Sequence, residues 1–293
     1  MTSLSRKARA RHIPYLFLAP TLFFLAIFVI YPLGVLIDLS FREKRIGSPA
    51  RFIGLENFET LLQDKRFLQS ISNTVVYVSA SVSARLLIAF GLALLLNQKI
   101  KGRSFFRGIM LLPWLTPMVP ALLTWRWILN PDYGILNHLA AELNLVTSPI
   151  RFLGQPTLAM ATVIAFNVWK FFPFYTVAFL AGLQAIPVEI NEAAELDGVN
   201  KWQKLRYVTI PYMRNLFAIL YVLSAVWTIG EFVSVWLLTR GGPSYATHLF
   251  ATLAFQEAFL SYNIGLAAAI FVIVLPFVAG LTILVTQYVV RES

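Results

Sequence analysis

The chain has 293 residues, of which 58% are hydrophobic and 13% charged, whereas soluble domains carry about 25% charged residues. Its mean hydropathy is +0.70. This composition excludes a soluble enzyme or binding domain and predicts one membrane-embedded unit. The chain has no cysteine, which excludes a disulfide framework, thiol catalysis and a cysteine-ligated metal.

The net charge of +10 raises the question of a nucleic-acid partner. The basic residues, however, cluster at the ends of apolar runs rather than on one polar face. That distribution is typical of residues that orient a membrane protein. The charge therefore predicts a membrane orientation and no binding of nucleic acid.

A helix that crosses a bilayer needs about 20 mostly apolar residues. Six stretches meet this requirement and predict an all-α integral membrane protein with six spans. They are approximately Ile13–Leu39, Ile71–Leu96, Phe105–Leu129, Thr157–Gln184, Met213–Leu238 and Ile264–Val290.

The distribution of Lys and Arg predicts the orientation, because cytoplasmic loops carry an excess of both. Four bases precede the first span, and the loop 97–107 is also basic. We expect both termini to be cytoplasmic and the first helix to be retained rather than cleaved. The predicted organisation is a basic tail (1–12), a first helix with an external loop (13–70), and a core of five helices (71–290) that contains a cytoplasmic segment (187–212).

Two spans carry features that a simple lipid-facing helix does not need. Pro113, Pro117 and Pro120 lie in the third span and predict a break or bend there. Arg85 lies near the middle of the second span, where a charge costs at least about 2.5 kcal/mol unless it is paired or hydrated. Arg85 is therefore either a structural partner of a neighbouring helix or part of a translocation path.

The fourth and fifth spans supply the candidate residues for a pathway. Polar groups beside aromatic rings can grip a sugar, because a ring packs on C–H groups while hydroxyls find hydrogen-bond partners. The alternative is that these side chains only pack against lipid or neighbouring helices. Lys170 and Glu231 could also pair with each other across the fourth and fifth spans. The candidates are Asn167, Trp169, Lys170, Tyr175, Trp227 and Glu231.

The polar segment 187–212 has the sequence of a small folded element. Pro187 is suited to a helix start, and Gly198 to a helix end that needs a left-handed conformation. Asn200 can cap a second helix, and Pro211 is expected to mark the transition to the fifth span. The predicted result is two short helices on the cytoplasmic face, joined to the fourth and fifth spans.

At this segment the chain resembles the permease subunits of ATP-binding-cassette (ABC) importers, in the carbohydrate-uptake branch related to the first maltose permease subunit. Their EAA motif is Glu-Ala-Ala, a Gly six residues after the Glu, and an aliphatic-x-aliphatic-Pro end. The matching residues are Glu192, Ala193, Ala194, Asp197, Gly198, Val208, Ile210 and Pro211. Further matches are GLENF (54–58), NTVVY (73–77), WKFFPF (169–174), AGLQAIP (181–187) and LLTRGGP (237–243). Val199 departs from the Ala that is common there.

The resemblance implies the six-helix form of the type I ABC importer permease fold and a mechanism of alternating access. The segment 187–212, hereafter the coupling segment, would dock on an ATPase through Glu192, Ala193, Ala194, Asp197, Gly198 and Pro211. The implied partners are a second homologous permease, two ATPase chains and an external solute-binding protein. The implied location is the cytoplasmic membrane of a bacterium or archaeon.

The resemblance also implies that this chain is not an enzyme and binds no cofactor, since ATP and Mg are used by the partner ATPase. The sequence has no G-x-x-x-x-G-K-[ST] phosphate-binding loop. The implied cargo is a sugar or sugar-like solute, which includes mono- and oligosaccharides and glycerol-phosphate-type compounds. A secondary transporter and a membrane enzyme are the alternatives. A secondary transporter would be longer, with an internal repeat, and would not need a folded polar segment before the fifth span. A membrane enzyme is disfavoured because His12, His138 and His248 are scattered and there is no HExxH motif or pair of carboxylates on a helix face.

Overall fold

The computed structural model describes residues 17–98 and 101–292. The predicted basic tail (1–12) and the predicted start of the first helix at Ile13 lie outside these residues. The described helices are α1 (Phe17–Ser40), α2 (Glu56–Gln63), α3 (Lys65–Asn97), α4 (Arg103–Leu115), α5 (Met118–Ile128), α6 (Ile135–Glu142), α7 (Pro156–Gln184), α8 (Val188–Leu196), α9 (Lys201–Ile229), α10 (Val233–Leu238), α11 (Phe250–Leu260) and α12 (Ile264–Glu292).

Four of the described helices, α1, α3, α7 and α9, are long and apolar enough to cross a membrane. Helices α4 and α5 would form a fifth span together, although the chain bends by 91° between them. The break predicted from the proline-rich run is therefore confirmed. The apolar part of α12, Ile264–Gly280, is shorter than these four helices.

The fifth predicted span differs from the sequence expectation at both ends. Helix α9 begins at Lys201 and runs through Pro211 without a stop, because a π-helical turn at Leu205–Thr209 leads directly into Ile210–Ile229. Pro211 occupies the first turn of that last part, where a missing N–H is tolerated. The apolar run then stops at Gly230, and its remainder forms the separate helix α10.

The chain divides into two compact units, and the first contains residues 1–63 and 254–273. Here a two-residue antiparallel ladder pairs β1 (Arg42–Glu43) with β2 (Arg51–Phe52). The buried Asn57 amide donates to the carbonyls of Ser40 (2.8 Å) and Arg42 (2.9 Å), which ties α2 to the end of α1. The predicted division at residue 70 remains a prediction.

The second unit contains residues 64–253 and 274–293. Its main apolar core lies where α3, α7 and α9 pack together. Phe90, Phe179 and Phe217, one from each helix, have ring centroids 4.5–5.4 Å apart. A side chain at Gly182 would collide with Leu216, so α7 approaches α9 closely at this point. The core therefore packs the three long helices of this unit directly against one another.

Candidate functional site

A cavity of about 310 Å³ lies between α3, α4, α7 and α9 of the second unit. This volume is near the lower end of the range of small-molecule pockets, about 300–1,000 Å³. Its lining residues are Arg85, Trp114, Asn167, Phe171, Phe174, Tyr175, Trp227, Thr228 and Glu231. Four of the six predicted pathway residues are in this set: Asn167, Tyr175, Trp227 and Glu231.

Arg85 joins three helices at the wall of the cavity. Its guanidinium donates to Asn167 Oδ1 (2.8 Å) on α7, and to Ser224 Oγ and Thr228 Oγ1 (3.0 Å) on α9. The ring of Tyr175 lies 4.8 Å from the guanidinium carbon, within the range of a cation–π contact. Arg85 therefore has the structural role considered for it, and it also lines the cavity. Its place on a translocation path remains a prediction.

Aromatic rings form a second part of the cavity wall. Phe174 lies at its centre, with ring centroids 6.1 Å from Trp114 and 6.1 Å from Trp227. Trp227 lines the cavity and is 60% exposed in this chain. Trp114 belongs to α4 and ends up here because the chain bends directly after that helix.

Glu231 lies just after the end of α9 and supplies the carboxylate of the cavity. One of its oxygens, Oε1, accepts a hydrogen bond from the backbone N–H of Ser234 (2.9 Å), in the first turn of α10. Such a carboxylate is favourable near the positive end of a helix. The sequence-based pairing of Glu231 with Lys170 is wrong, because each side chain has a different partner.

Lys170 is 5% exposed and donates to three backbone carbonyls at the break between α4 and α5. The acceptors are the oxygens of Pro113 (2.9 Å), Trp114 (3.0 Å) and Thr116. Lys170 is not among the residues that line the cavity. The structure thus shows Lys170 in contact with freed backbone groups, and its role as a pathway residue remains a prediction.

Trp169 also lies outside the cavity lining. Its ring packs against Trp125 (centroids 5.5 Å apart) and Phe166 (5.8 Å), in an aromatic cluster between α5 and α7. This is the packing role that the sequence left open as the alternative. Positions two apart on a helix point in different directions, which separates Trp169 from Asn167.

The cavity combines the groups that a polar ring-shaped ligand needs. Aromatic faces can pack on C–H groups, while a carboxylate and a guanidinium accept from and donate to hydroxyls. One acidic and one basic side chain line it, so neither charge sign dominates. Within residues 17–98 and 101–292, no group of three His, Cys, Asp or Glu side chains could hold a metal ion.

The coupling segment folds through local hydrogen bonds. Helix α8 ends in a Schellman motif, in which Val199 N–H donates to Ala194 O (3.2 Å) and Gly198 N–H to Glu195 O (3.1 Å). Gly198 has a φ of +72°, a left-handed conformation that favours glycine. The predicted helix end at Gly198 is confirmed.

The predicted cap at Asn200 is also confirmed. Its side-chain oxygen accepts from the N–H groups of Trp202 (3.0 Å) and Gln203 (2.9 Å), and the Gln203 side chain accepts from Asn200 N–H (2.9 Å). This is a complete capping box. An ion pair between Glu195 and Lys204 (3.0 Å) joins the two arms of the turn.

The residues of the EAA motif differ in exposure. Glu192, Ala193, Asp197 and Gly198 are exposed, whereas Ala194 is 6% exposed and packs within its own chain. The small size of Ala194 therefore serves internal packing, and Ala193 is the alanine available for close approach by another protein. Two large apolar side chains on this segment, Leu196 (89%) and Trp202 (73%), are exposed.

The sequence interpretation missed some cavity residues. Trp114, Phe171, Phe174 and Thr228 line the cavity but were not singled out as candidates. Trp114 lies inside the proline-rich run, so the predicted break was the available signal for it. The other three are common residues of apolar helices, and the sequence distinguishes them only by their nearness to Tyr175 and Trp227.

Comparisons with known proteins agree with this architecture. Residues 85–291 match the family described as "Binding-protein-dependent transport system inner membrane component". The chain is 34% identical to the trehalose/maltose transport system permease protein MalF of Thermococcus litoralis, over 92% of each chain. It is 33% identical to a probable ABC transporter permease of Pyrococcus horikoshii, over 91% of this chain and 92% of that protein.

Among solved structures, one chain of a bacterial alginate ABC transporter, in complex with an alginate pentasaccharide-bound periplasmic protein, has a similar fold. The TM-score is 0.82 at 22% identity, with 98% of this chain and 97% of that chain covered. The relatives are transport subunits rather than enzymes. The chain belongs to the family of binding-protein-dependent transport system inner membrane components.

Proposed function

We propose that this chain is one of two permease subunits of an ABC importer that carries a sugar or sugar-like solute by alternating access. The observation that carries this proposal is the cavity, in which aromatic rings and the polar groups of Arg85 and Glu231 face the same space. The trehalose/maltose permease of Thermococcus litoralis, at 34% identity, supports a sugar as the class of cargo. Mono- and oligosaccharides and glycerol-phosphate-type solutes are all within this class.

The proposed arrangement has six spans, with both termini in the cytoplasm of a bacterium or archaeon. Four long apolar helices and the bent pair α4–α5 support five of the spans. Helix α12, whose apolar part begins at Ile264, supplies the sixth. The excess of Lys and Arg on the loops placed inside supports the orientation.

The coupling segment is proposed to receive the movement of the ATPase. Its exposed face contains Glu192, Ala193, Asp197 and Gly198, beside a turn that the Schellman motif and the capping box make rigid. Ala194 supports the shape of this face from inside, and Pro211 lies within the continuous helix that leads from the segment into the membrane.

The complete importer would contain a second homologous permease, two ATPase chains and an external solute-binding protein. In this assembly ATP and Mg are used by the ATPase chains, and this chain contributes the docking segment and half of the pathway. A periplasmic protein bound to the alginate transporter of similar fold supports the inclusion of a binding protein.

The decisive experiment is uptake by proteoliposomes that contain the chain with the partner permease, ATPase and binding protein of the same genome. We expect ATP-dependent accumulation of at least one labelled sugar from a panel that includes maltose, trehalose, an alginate oligosaccharide and glycerol 3-phosphate. Labelled methionine is the control for a cargo of another class. Uptake of methionine with no uptake from the panel would contradict the proposed cargo.

A further inference from the structure

At the bend between α4 and α5, two backbone carbonyls lack the N–H donors that a continuous helix would provide, because of the residue types that follow them. In a continuous α-helix each carbonyl accepts from the N–H four residues later. The donor for the carbonyl of Pro113 would be residue 117, and the donor for that of Thr116 would be residue 120. Both residues are prolines, which have no N–H.

Lys170 supplies the missing donors. An ammonium group has three N–H bonds, and all three have an acceptor here: the carbonyls of Pro113, Trp114 and Thr116. The carbonyl of Trp114 is the third acceptor because the helix stops before residue 118 can donate to it. The chain thus places one buried cation at the point where its own prolines leave backbone oxygens without donors.

The position of this cation also favours its charge. The last carbonyls of α4 form the negative end of a helix, and within the described residues no acidic side chain forms an ion pair with Lys170. An unsatisfied carbonyl inside a bilayer is unfavourable, so loose backbone there persists only where protein or water provides a partner. Lys170 is that partner, on the neighbouring helix α7.

Trp114 connects this contact to the cavity. Its backbone oxygen is bound by Lys170, while its side chain forms part of the cavity wall beside Phe174. We propose that Lys170 is a positioning residue, whose ammonium replaces the donors missing at the bend and thereby fixes Trp114 in the wall of the cavity. The importance of Trp114 for binding cargo rests on the proposed function, whereas the role of Lys170 at the bend does not.

The test is made in the complete importer complex, with any cysteines of the partner chains replaced, and uses the absence of cysteine from this chain. Cysteines introduced at Ile109 on α4 and Leu123 on α5, which are 47% and 55% exposed, accept nitroxide labels. Pulsed electron paramagnetic resonance then measures the distance between the two arms of the bend. Lys170→Met keeps an unbranched side chain and removes the charge, so we expect a broader distribution with a longer mean distance as the bend opens.

Two variants control this measurement. Lys170→Arg retains a cationic donor and should keep a distribution close to that of the unmodified residue. Lys65→Met removes an exposed lysine far from the bend and should change nothing. An unchanged, narrow distribution in Lys170→Met would overturn the proposal.

A variant that fails to assemble still decides the question. Adding Pro117→Ala and Pro120→Ala to Lys170→Met returns N–H groups at the two positions where proline removes the donors for Pro113 and Thr116, so the triple variant should recover assembly. Failure of the triple variant where Lys170→Met alone also fails would contradict the proposed role, since the loss would then not come from the missing donors.

Transport provides a second readout, with maltose and trehalose as the probes. We expect the KM for uptake in Lys170→Met to rise roughly tenfold, equivalent to about 1.4 kcal/mol, with a smaller change in kcat. If the unmodified importer carries neither sugar, the proposed function fails while the distance measurement still judges Lys170. An unchanged KM beside an altered distance would overturn the link to Trp114.

Discussion

The cavity and the coupling segment are built in opposite ways. The coupling segment is local, since its Schellman motif and capping box join residues within five positions of each other. The cavity is assembled from four helices, and Arg85 reaches partners 82 to 143 positions away. A local element can be tested by changing its own backbone, whereas the cavity has to be tested through ligand affinity.

The largest expected effect is on the coupling segment. Valine at Gly198 would have to adopt a left-handed conformation, which costs about 1–2 kcal/mol and lowers the population of the docking shape by a factor of about 5–30. A side chain there meets nothing within 4 Å, so the effect comes from the backbone alone. We expect Gly198→Val to lose transport in proteoliposomes while ATP hydrolysis continues.

Gly91→Val is the matched control, because Gly91 lies in α3 with an ordinary φ and open space around it. It should lower stability slightly and leave coupling intact. Equal losses of transport in Gly198→Val and Gly91→Val would contradict a special role for the turn at Gly198.

The next effect concerns the cavity. Glu231→Gln keeps the acceptor for Ser234 N–H and the shape of the side chain, but removes the charge. Hydrogen bonds to an ionised acceptor are roughly twice as strong as neutral ones, so we expect sugar affinity to fall about five- to tenfold. Equilibrium binding to the purified importer measures this, with coupling of ATP hydrolysis unchanged.

An exposed carboxylate outside the cavity gives the comparison for this variant. Glu59→Gln removes one on α2 and should leave sugar affinity at its original value. If Glu231→Gln binds sugar normally while ATP hydrolysis becomes uncoupled, Glu231 belongs functionally to the coupling machinery rather than to the cavity.

A smaller effect is expected at the capping box. Asn200→Ala removes the acceptor for two N–H groups at the start of α9, and the loss of such a cap costs about 1 kcal/mol. We expect a partial loss of coupling, about fivefold, measured as sugar transported per ATP hydrolysed. Asn200→Ser retains a good capping oxygen and should preserve the ratio, and a defect of equal size in Ser would argue against capping as the cause.

The smallest effect lies outside both regions. Asp64 caps α3, and its carboxylate is bonded by the side chain and N–H of Arg66. Partial burial alone would raise the pKa of Asp64, but the hydrogen bonds from Arg66 outweigh it and hold the pKa below its usual value. Asp64→Ala should reduce the free energy of unfolding by about 1 kcal/mol without changing coupling or sugar affinity.

The sign of the pH dependence follows from this lowered pKa. The ionised carboxylate stabilises the folded state at pH values above the unfolded pKa of about 3.9, and the contribution is lost as the pH falls through the lower folded pKa. Asp64→Asn keeps a capping oxygen but cannot titrate. Thermal unfolding measures the difference in stability between the unmodified protein and Asp64→Asn. This difference should shrink below about pH 4, and a difference that grows there would contradict a lowered pKa for Asp64.

The sequence predicted the local elements well, because their determinants lie next to each other in the chain. Gly198 and Asn200 are recognisable as a helix end and a cap from residue type and spacing alone. The break in the third span followed from its prolines in the same way. Pro211 was expected at the transition to the fifth span, but it lies within one continuous helix, since a proline in the first turn of a helical segment needs no break.

The cavity could be predicted only in part, because it depends on which side chains four helices bring together. Asn167, Tyr175, Trp227 and Glu231 were found by their chemistry, but Trp114 reaches the cavity only through the bend. The pairing of Lys170 with Glu231 was wrong because the prediction considered side-chain charges and ignored the backbone. In this chain the buried ammonium binds carbonyls that proline deprives of donors, not a carboxylate.

The continuity of α9 links the two regions thermodynamically. Its 29 residues extend about 43 Å at 1.5 Å per residue. They begin at the capping box and include Ser224 and Thr228, which contact Arg85 near the other end. In the proposed importer, a cargo and an ATPase that both favour the same position of this helix would each raise the affinity for the other by the same factor, since linkage is reciprocal. The affinity for the ATPase, measured with and without saturating sugar, would then report the coupling between the two ends.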